Sequence, residues 1–236
     1  MKKVEDLKNY GKPLSDIMLE PEGEKSRKEM TRIVRAKLRR EFGLISMMKL
    51  MLKLRKETNR GKIQDWSSLS ERGMTDQRFL DLLITQMAAM KALADVVGEK
   101  KASNTYRRIL NQTADMTATM YPSAEELKAC GDAWVSFKEY TKALMAANVR
   151  AGLHEVELVE DSPRVIAFNV KYCVWCEVAK KLADASLCYF TSCYQDEVFF
   201  PKAVSGVGGR FTRTGTLATG APVCDFRFEL VSKTDS

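Results

Sequence analysis

The chain has 236 residues, 45% of them hydrophobic and 29% charged, a mixture that suits a water-soluble globular protein able to bury a core without disulfide or metal staples. Lys49, Lys53, Asp81 and Lys91 interrupt its two longest apolar stretches, which argues against a membrane span, and Met1–Tyr10 lacks the order of a signal peptide, so a cytoplasmic location is expected. The formal charge of +7 is uneven: residues 1–62 hold 18 Lys and Arg against 9 Asp and Glu, hence +9, and the remainder carries −2.

Residues 1–25 are polar, contain Pro13, Pro21 and Gly23, and read as an arm with little structure of its own. From Ser26 to Glu57 apolar residues recur every three or four positions, the pattern of a helix, with Gly43 as a possible kink. Its basic character reads as a solvated helix face. Tyr10 and Phe42 are the only aromatics in residues 1–62, so a nucleic-acid partner is not expected. A second helix is predicted over Thr75–Val97, favoured by Asp76 at its start and Gly98 beyond its end. A third spans Lys101–Thr119. The fourth begins at Ser123, where Glu126 completes a capping box, and carries an apolar face as far as Leu144. Methionines at 47, 48, 51, 87 and 90 read as core filler, with a pocket or homo-oligomer face as the alternative.

The texture changes near Gly152. Leu153–Val159 and Val165–Val170 alternate like strands around an Asp161-Ser162-Pro163 turn, which predicts a hairpin. Cys173 to Tyr189 returns to helical spacing. Phe211–Leu217 and Phe226–Val231 are strand-like again. The predicted fold class is therefore α+β. A helical region over 26–152 packs on an α+β module over 153–236, with a small antiparallel sheet.

Five of the six cysteines, Cys173, Cys176, Cys188, Cys193 and Cys224, fall within the last 64 residues. Cys173 and Cys176 form a CxxC, but Cys188 and Cys193 are separated by four residues. The cysteine zinc site this suggests stays an alternative to an expectation of no cofactor and no metal. Cys130 and Cys188, among apolar neighbours, read as inert thiols. The lone histidine, His154, reads as a surface or strand residue. The densest polar cluster runs from Arg213 to Glu229. Arginine near cysteine favours thiolate, and arginine also grips carboxylates. A structural Asp–Arg pair across a hairpin is the plainer possibility.

At these residues the chain resembles the L-2-amino-thiazoline-4-carboxylic acid hydrolase family. The resemblance covers Phe168 to Phe228. It rests on Asn169 with Cys173, on Cys193-x-x-Asp196, on Arg213-Thr214-x-Thr216-Leu217-x-x-Gly220, and on Cys224-Asp225-Phe226-Arg227. It implies a C–N hydrolase that opens a small cyclic amidine- or amide-like substrate bearing a carboxylate. The expected roles are Cys193 or Cys224 as nucleophile and Asp196 or Asp225 as acid and base. Arg213 or Arg227 would clamp the carboxylate, with Thr214, Thr216, Asn169 and Cys173 lining the substrate site. In a variant of this scheme the acid activates water and the thiols only shape the pocket. A non-catalytic ligand-binding module is the alternative function.

Overall fold

The periodicity read from Ser26 to Glu57 extends further in both directions, into α2 (Pro21–Lys62). The computed structural model describes residues 2–118 and 121–231, with side chains left aside at 114–118. Gly43 breaks α2: its φ of 75° and ψ of 175° lie outside the helical region, a conformation that glycine adopts without steric cost. The 1–25 segment differs from the expected arm. It carries a 3₁₀ turn at Val4–Asp6 and helix α1 (Leu14–Leu19). Val4, Leu7 and Ile17 are buried in the core, and the α1 backbone is tied to a later part of the chain by Leu14 N–H donating to Asn148 Oδ1 at 2.8 Å.

After α3 (Ser67–Glu71), α4 (Gln77–Val97) starts where Asp76 accepts from the Arg78 and Phe79 amides and stops at Gly98, φ 87°. These are the predicted signals. α5 (Glu99–Ala118) begins two residues earlier than predicted, and Thr119 lies outside the described residues. The fourth predicted helix is two. α6 (Ala124–Ala129) has the Ser123–Glu126 capping box, and α7 (Ala133–Arg150) is capped anew by Asp132, which accepts from the Val135 amide.

The α+β class is borne out by a four-stranded antiparallel sheet in the order β1-β2-β4-β3. Its strands are β1 (His154–Asp161), β2 (Val165–Cys173), β3 (Gly209–Thr212) and β4 (Cys224–Leu230). Between β2 and β3 lie α8 (Val174–Leu182), a short turn α9 (Ser186–Cys188), a π turn (Tyr189–Cys193) and α10 (Tyr194–Ser205). The strand predicted over Phe211–Leu217 ends at Thr212. The Thr214 and Gly215 amides donate to Asp225 instead of to a neighbouring strand.

One apolar core runs from Val4 to Phe228. Phe228 sits at its centre, with Phe137, Phe200 and Phe211 rings 5.1–5.3 Å away. Met47, Met87 and Met90 are buried as core filler, whereas Met48 and Met51 are exposed on α2 beside Leu44, Ile45 and Leu52. α2 reaches α4 closely through Gly61. A Cβ there would lie 2.5 Å from Ile84 Cγ2 and 2.9 Å from Leu182 Cδ2. Gly61→Ala is therefore expected to cost about 1–2 kcal/mol, as overpacking does, read as a lowered melting temperature. An unchanged value would mean that both side chains swing aside freely.

Candidate active site

Strand alternation sorts the polar residues of the C-terminal half onto two faces. On β4, Cys224, Phe226 and Phe228 point inward, opposite Val170, Phe168 and Ile166 of β2. Asp225, Arg227 and Glu229 point outward, opposite Asn169, Ala167 and Val165. The inner face forms one wall of a cavity of about 160 Å³. α1, α4, α7, α8, the π turn, α10, His154 of β1 and Tyr121 ahead of α6 supply the rest, so the N-terminal segment contributes Leu14 and Met18 to its lining.

Asp196 and Arg213 meet on this wall. Arg213 follows β3 on the inward side, its side chain only 3% exposed. Its Nη1 donates to Asp196 Oδ2 at 2.8 Å. Its Nη2 donates to the Cys193 carbonyl at 2.7 Å and to Glu197 Oε1 at 3.0 Å. The guanidinium also stands 5.2 Å over the Phe226 ring. Burial pushes the Asp196 carboxyl up to about 7, against the opposing pull of Arg213 and with the Cys193 charge adding to the rise. Arg213 is thus engaged with protein groups on most of its fork and orients Asp196.

Cys173 and Cys193 also line the cavity, as does Cys224. Hydrogen bonds from the Cys176 and Cys188 thiols outweigh burial and bring Cys193 down to about 4. Cys173 is lowered by the same two thiols and, beyond the opposing effect of burial, by His154. Cys224 is pushed up to about 12 by burial, although the Leu217 amide donates to its sulfur at 3.3 Å. The two candidate nucleophiles are therefore shifted in opposite directions.

The other sequence-derived candidates lie elsewhere. Asp225 is on the outer face and off the cavity lining. It accepts from Thr214 Oγ1 at 2.6 Å, from the Thr214 amide and from the Gly215 amide at 2.7 Å. Burial acts to raise its pKa, but these bonds prevail and hold it below the usual carboxylate value. Arg227 pairs with Glu229 at 2.9 Å and Glu160 at 3.0 Å on that same face, so its partners are two glutamates and not the aspartate of the expected Asp–Arg pair. Asn169 faces Asp225 across the strands. Thr216 is buried beside Thr219, Oγ1 to Oγ1 3.1 Å, at the start of the 3₁₀ turn Leu217–Thr219. Asp225, Thr214 and Thr216 brace the loop behind Arg213, Arg227 and Asn169 lie on the outer face of the sheet, and Cys173, Cys193, Cys224, Asp196 and Arg213 reach the cavity.

Three cavity groups were not singled out from sequence. Gln86 Oε1, Tyr121 Oη and His154 Nδ1 are buried, have no hydrogen-bond partner among the described residues, and belong to residues that line the cavity. Buried polar atoms without partners are rare in folded proteins, and three around one space mark it as a place for a polar ligand. His154 is a strand residue, as read, at the start of β1, and is half-buried. Its ring stacks on Trp175 with centroids 5.4 Å apart. The alternation of β1 carried a weak signal for His154, but nothing local marked Gln86 or Tyr121.

A comparison with curated proteins returns no significant match. The family model for L-2-amino-thiazoline-4-carboxylic acid hydrolase matches residues 77–228. The match begins well before the residues that carried the resemblance and takes in α4 with Gln86. Among the described residues, no helix is long and apolar enough to cross a membrane. Matched over more than half of its length, the chain belongs to the L-2-amino-thiazoline-4-carboxylic acid hydrolase family.

Proposed function

We propose that the cavity hydrolyses a small, carboxylate-bearing cyclic amidine or amide, with Asp196 as the group that moves the proton. The observation that carries this reading is a carboxyl fixed by Arg213 that shares one cavity with three buried polar atoms unpartnered among the described residues. The apolar walls suit a ring, and Gln86, Tyr121 and His154 suit its polar substituents. Tyr121 hydroxyl is a donor free for the substrate carboxylate. Arg213 acts as a positioning residue, because the Asp196, Glu197 and Cys193 oxygens already hold its Nη atoms.

In the reaction, Asp196 as carboxylate takes a proton from water while the oxygen attacks the amidine-like carbon. It then returns that proton to the departing ring atom. Departure of ring nitrogen breaks the C–N bond. In a thiazoline, departure of ring sulfur instead breaks C–S, frees a thiol and leaves the carbamoyl group on nitrogen. Either exit adds one water to the substrate.

The test is mass spectrometry of products after the reduced protein is incubated with the thiazoline carboxylate and related cyclic amidines, ureas and amides. Thiol alkylation of the products shows which bond opened. A mass gain of one water is expected. No product from folded protein across the panel would favour a cavity that only binds its ligand. A covalent route through Cys193 is the second reading, favoured by a thiol on the same wall three residues from Asp196. A folded Cys193→Ala variant that keeps full turnover would eliminate it.

A further inference from the structure

Four buried thiols converge where β2 passes into α8. Cys173 ends β2 and caps α8, and Cys176 follows one helical turn later. Cys188 and Cys193 bracket the π turn. A π turn bonds residue i to i+5, so two side chains five apart return to one side. In an α-helix they would diverge. The Cys188–Cys193 spacing, wrong for an ordinary zinc motif, thereby becomes usable.

The Sγ atoms of Cys173, Cys176 and Cys188 all lie within 4.8 Å of one another. Cys188 Sγ is 3.8 Å from Cys193 Sγ. The Cys173, Cys176 and Cys188 sulfurs form one face of a tetrahedron, and Cys193 meets that face through Cys188. A metal–sulfur bond of about 2.3 Å in a tetrahedral site sets its sulfurs about 3.8 Å apart. A core thiol is often only a small apolar filler. That explanation accounts for one buried cysteine better than for four meeting at one point from β2, α8 and the π turn. All four are free thiols, and one disulfide would leave the other two in the same contact.

We infer that Cys173, Cys176, Cys188 and Cys193 together bind one thiophilic divalent metal ion, zinc above all, as a closed structural centre behind the cavity. Four thiolates on a divalent ion leave two negative charges, and the surroundings offset them. His154 is the β1 register partner of Cys173. Arg213 binds the Cys193 carbonyl. Lys180, bonded to Glu177 at 2.8 Å, has its pKa raised by that contact and further by the Cys176 and Cys173 charges. The nearby acid, Asp196, is itself paired to Arg213. Such contacts around first ligands steady a metal centre. The ion ties the end of β2, the start of α8 and the π turn together, and so fixes the segment that presents Asp196. It also occupies the Cys193 thiolate, which leaves the water route for hydrolysis.

The test uses the full chain, purified anaerobically with a reductant, and its readout is metal content rather than activity. About one zinc per chain is expected by elemental analysis, as for a four-cysteine site. Replacement by Co(II) is expected to give the visible bands and sulfur-to-cobalt charge transfer of a tetrahedral thiolate site. Cys176→Ser and Cys188→Ser should each lose most of the metal, and Cys130→Ser should keep it. Wild-type protein that is folded and reduced, yet holds no stoichiometric metal and gives no cobalt bands, would overturn the inference. So would full metal content in a Cys176→Ser/Cys188→Ser double variant. If those variants do not fold, the wild-type cobalt spectrum decides alone.

Discussion

Arg213→Ala is expected to lower the melting temperature by roughly 6–12 °C, reflecting a loss of about 3 kcal/mol on breaking a mostly buried ion pair. The guanidinium is the hub of its corner of the fold. It joins the Asp196 and Glu197 carboxylates and the Cys193 carbonyl on one side to the end of β3 on the other. Truncation leaves those acceptors facing each other with no cation between them. Asp196 is only partly enclosed, 31% exposed, so the expected loss sits at the lower end for such pairs. Arg213→Lys should recover part of the stability, because an ammonium restores charge but not the forked geometry that spans three oxygens. Calorimetry on the three proteins reads this directly. An unchanged melting temperature in Arg213→Ala, with turnover lost, would mean that the guanidinium is spent on substrate and not on Asp196.

Asp196→Asn is expected to reduce turnover about 10²- to 10⁴-fold, the usual contribution of a positioned acid or base, while the protein stays folded. The amide has the shape of the carboxyl, and its oxygen can still accept from Arg213 Nη1. What it loses is the capacity to carry a proton between water and the departing ring atom. Substrate binding should persist, since the apolar walls and the groups at Gln86, Tyr121 and His154 are unchanged. Steady-state rates, together with a binding measurement on the inactive variant, separate the two effects. Near-normal turnover would remove Asp196 from proton transfer.

The helices and their ends were legible because local chemistry sets them. Asp76, Ser123 and Glu126 satisfy backbone amides that a starting helix leaves open. The Asp161-Ser162-Pro163 turn and the alternation on either side likewise predicted the hairpin, and the motif from Cys193 to Arg227 pointed to the family. Three features were hidden for physical reasons. α10 has no counterpart among the predicted elements: Pro201 lies inside it, and its Phe199 and Phe200 are buried in the aromatic core. Cys188 and Cys193 read as misplaced for one another because the spacing rules presume α-helical or strand geometry, and a π turn obeys neither. The choice between Asp196 and Asp225, or between Arg213 and Arg227, was open in sequence. It depends on strand pairing, which puts Arg213 on the cavity face and sends Asp225 and Arg227 to the opposite one.

That two-sided arrangement makes the outer acid a natural control for the inner one. Asp225→Asn keeps an oxygen for the Thr214 and Gly215 amides and touches nothing in the cavity. The most direct measurement is turnover of the thiazoline carboxylate by wild type, Asp196→Asn and Asp225→Asn, all verified as folded. The expected result is activity in wild type and Asp225→Asn and its loss in Asp196→Asn. Loss in Asp225→Asn with activity retained in Asp196→Asn would contradict it and move the chemistry to the outer face of the sheet.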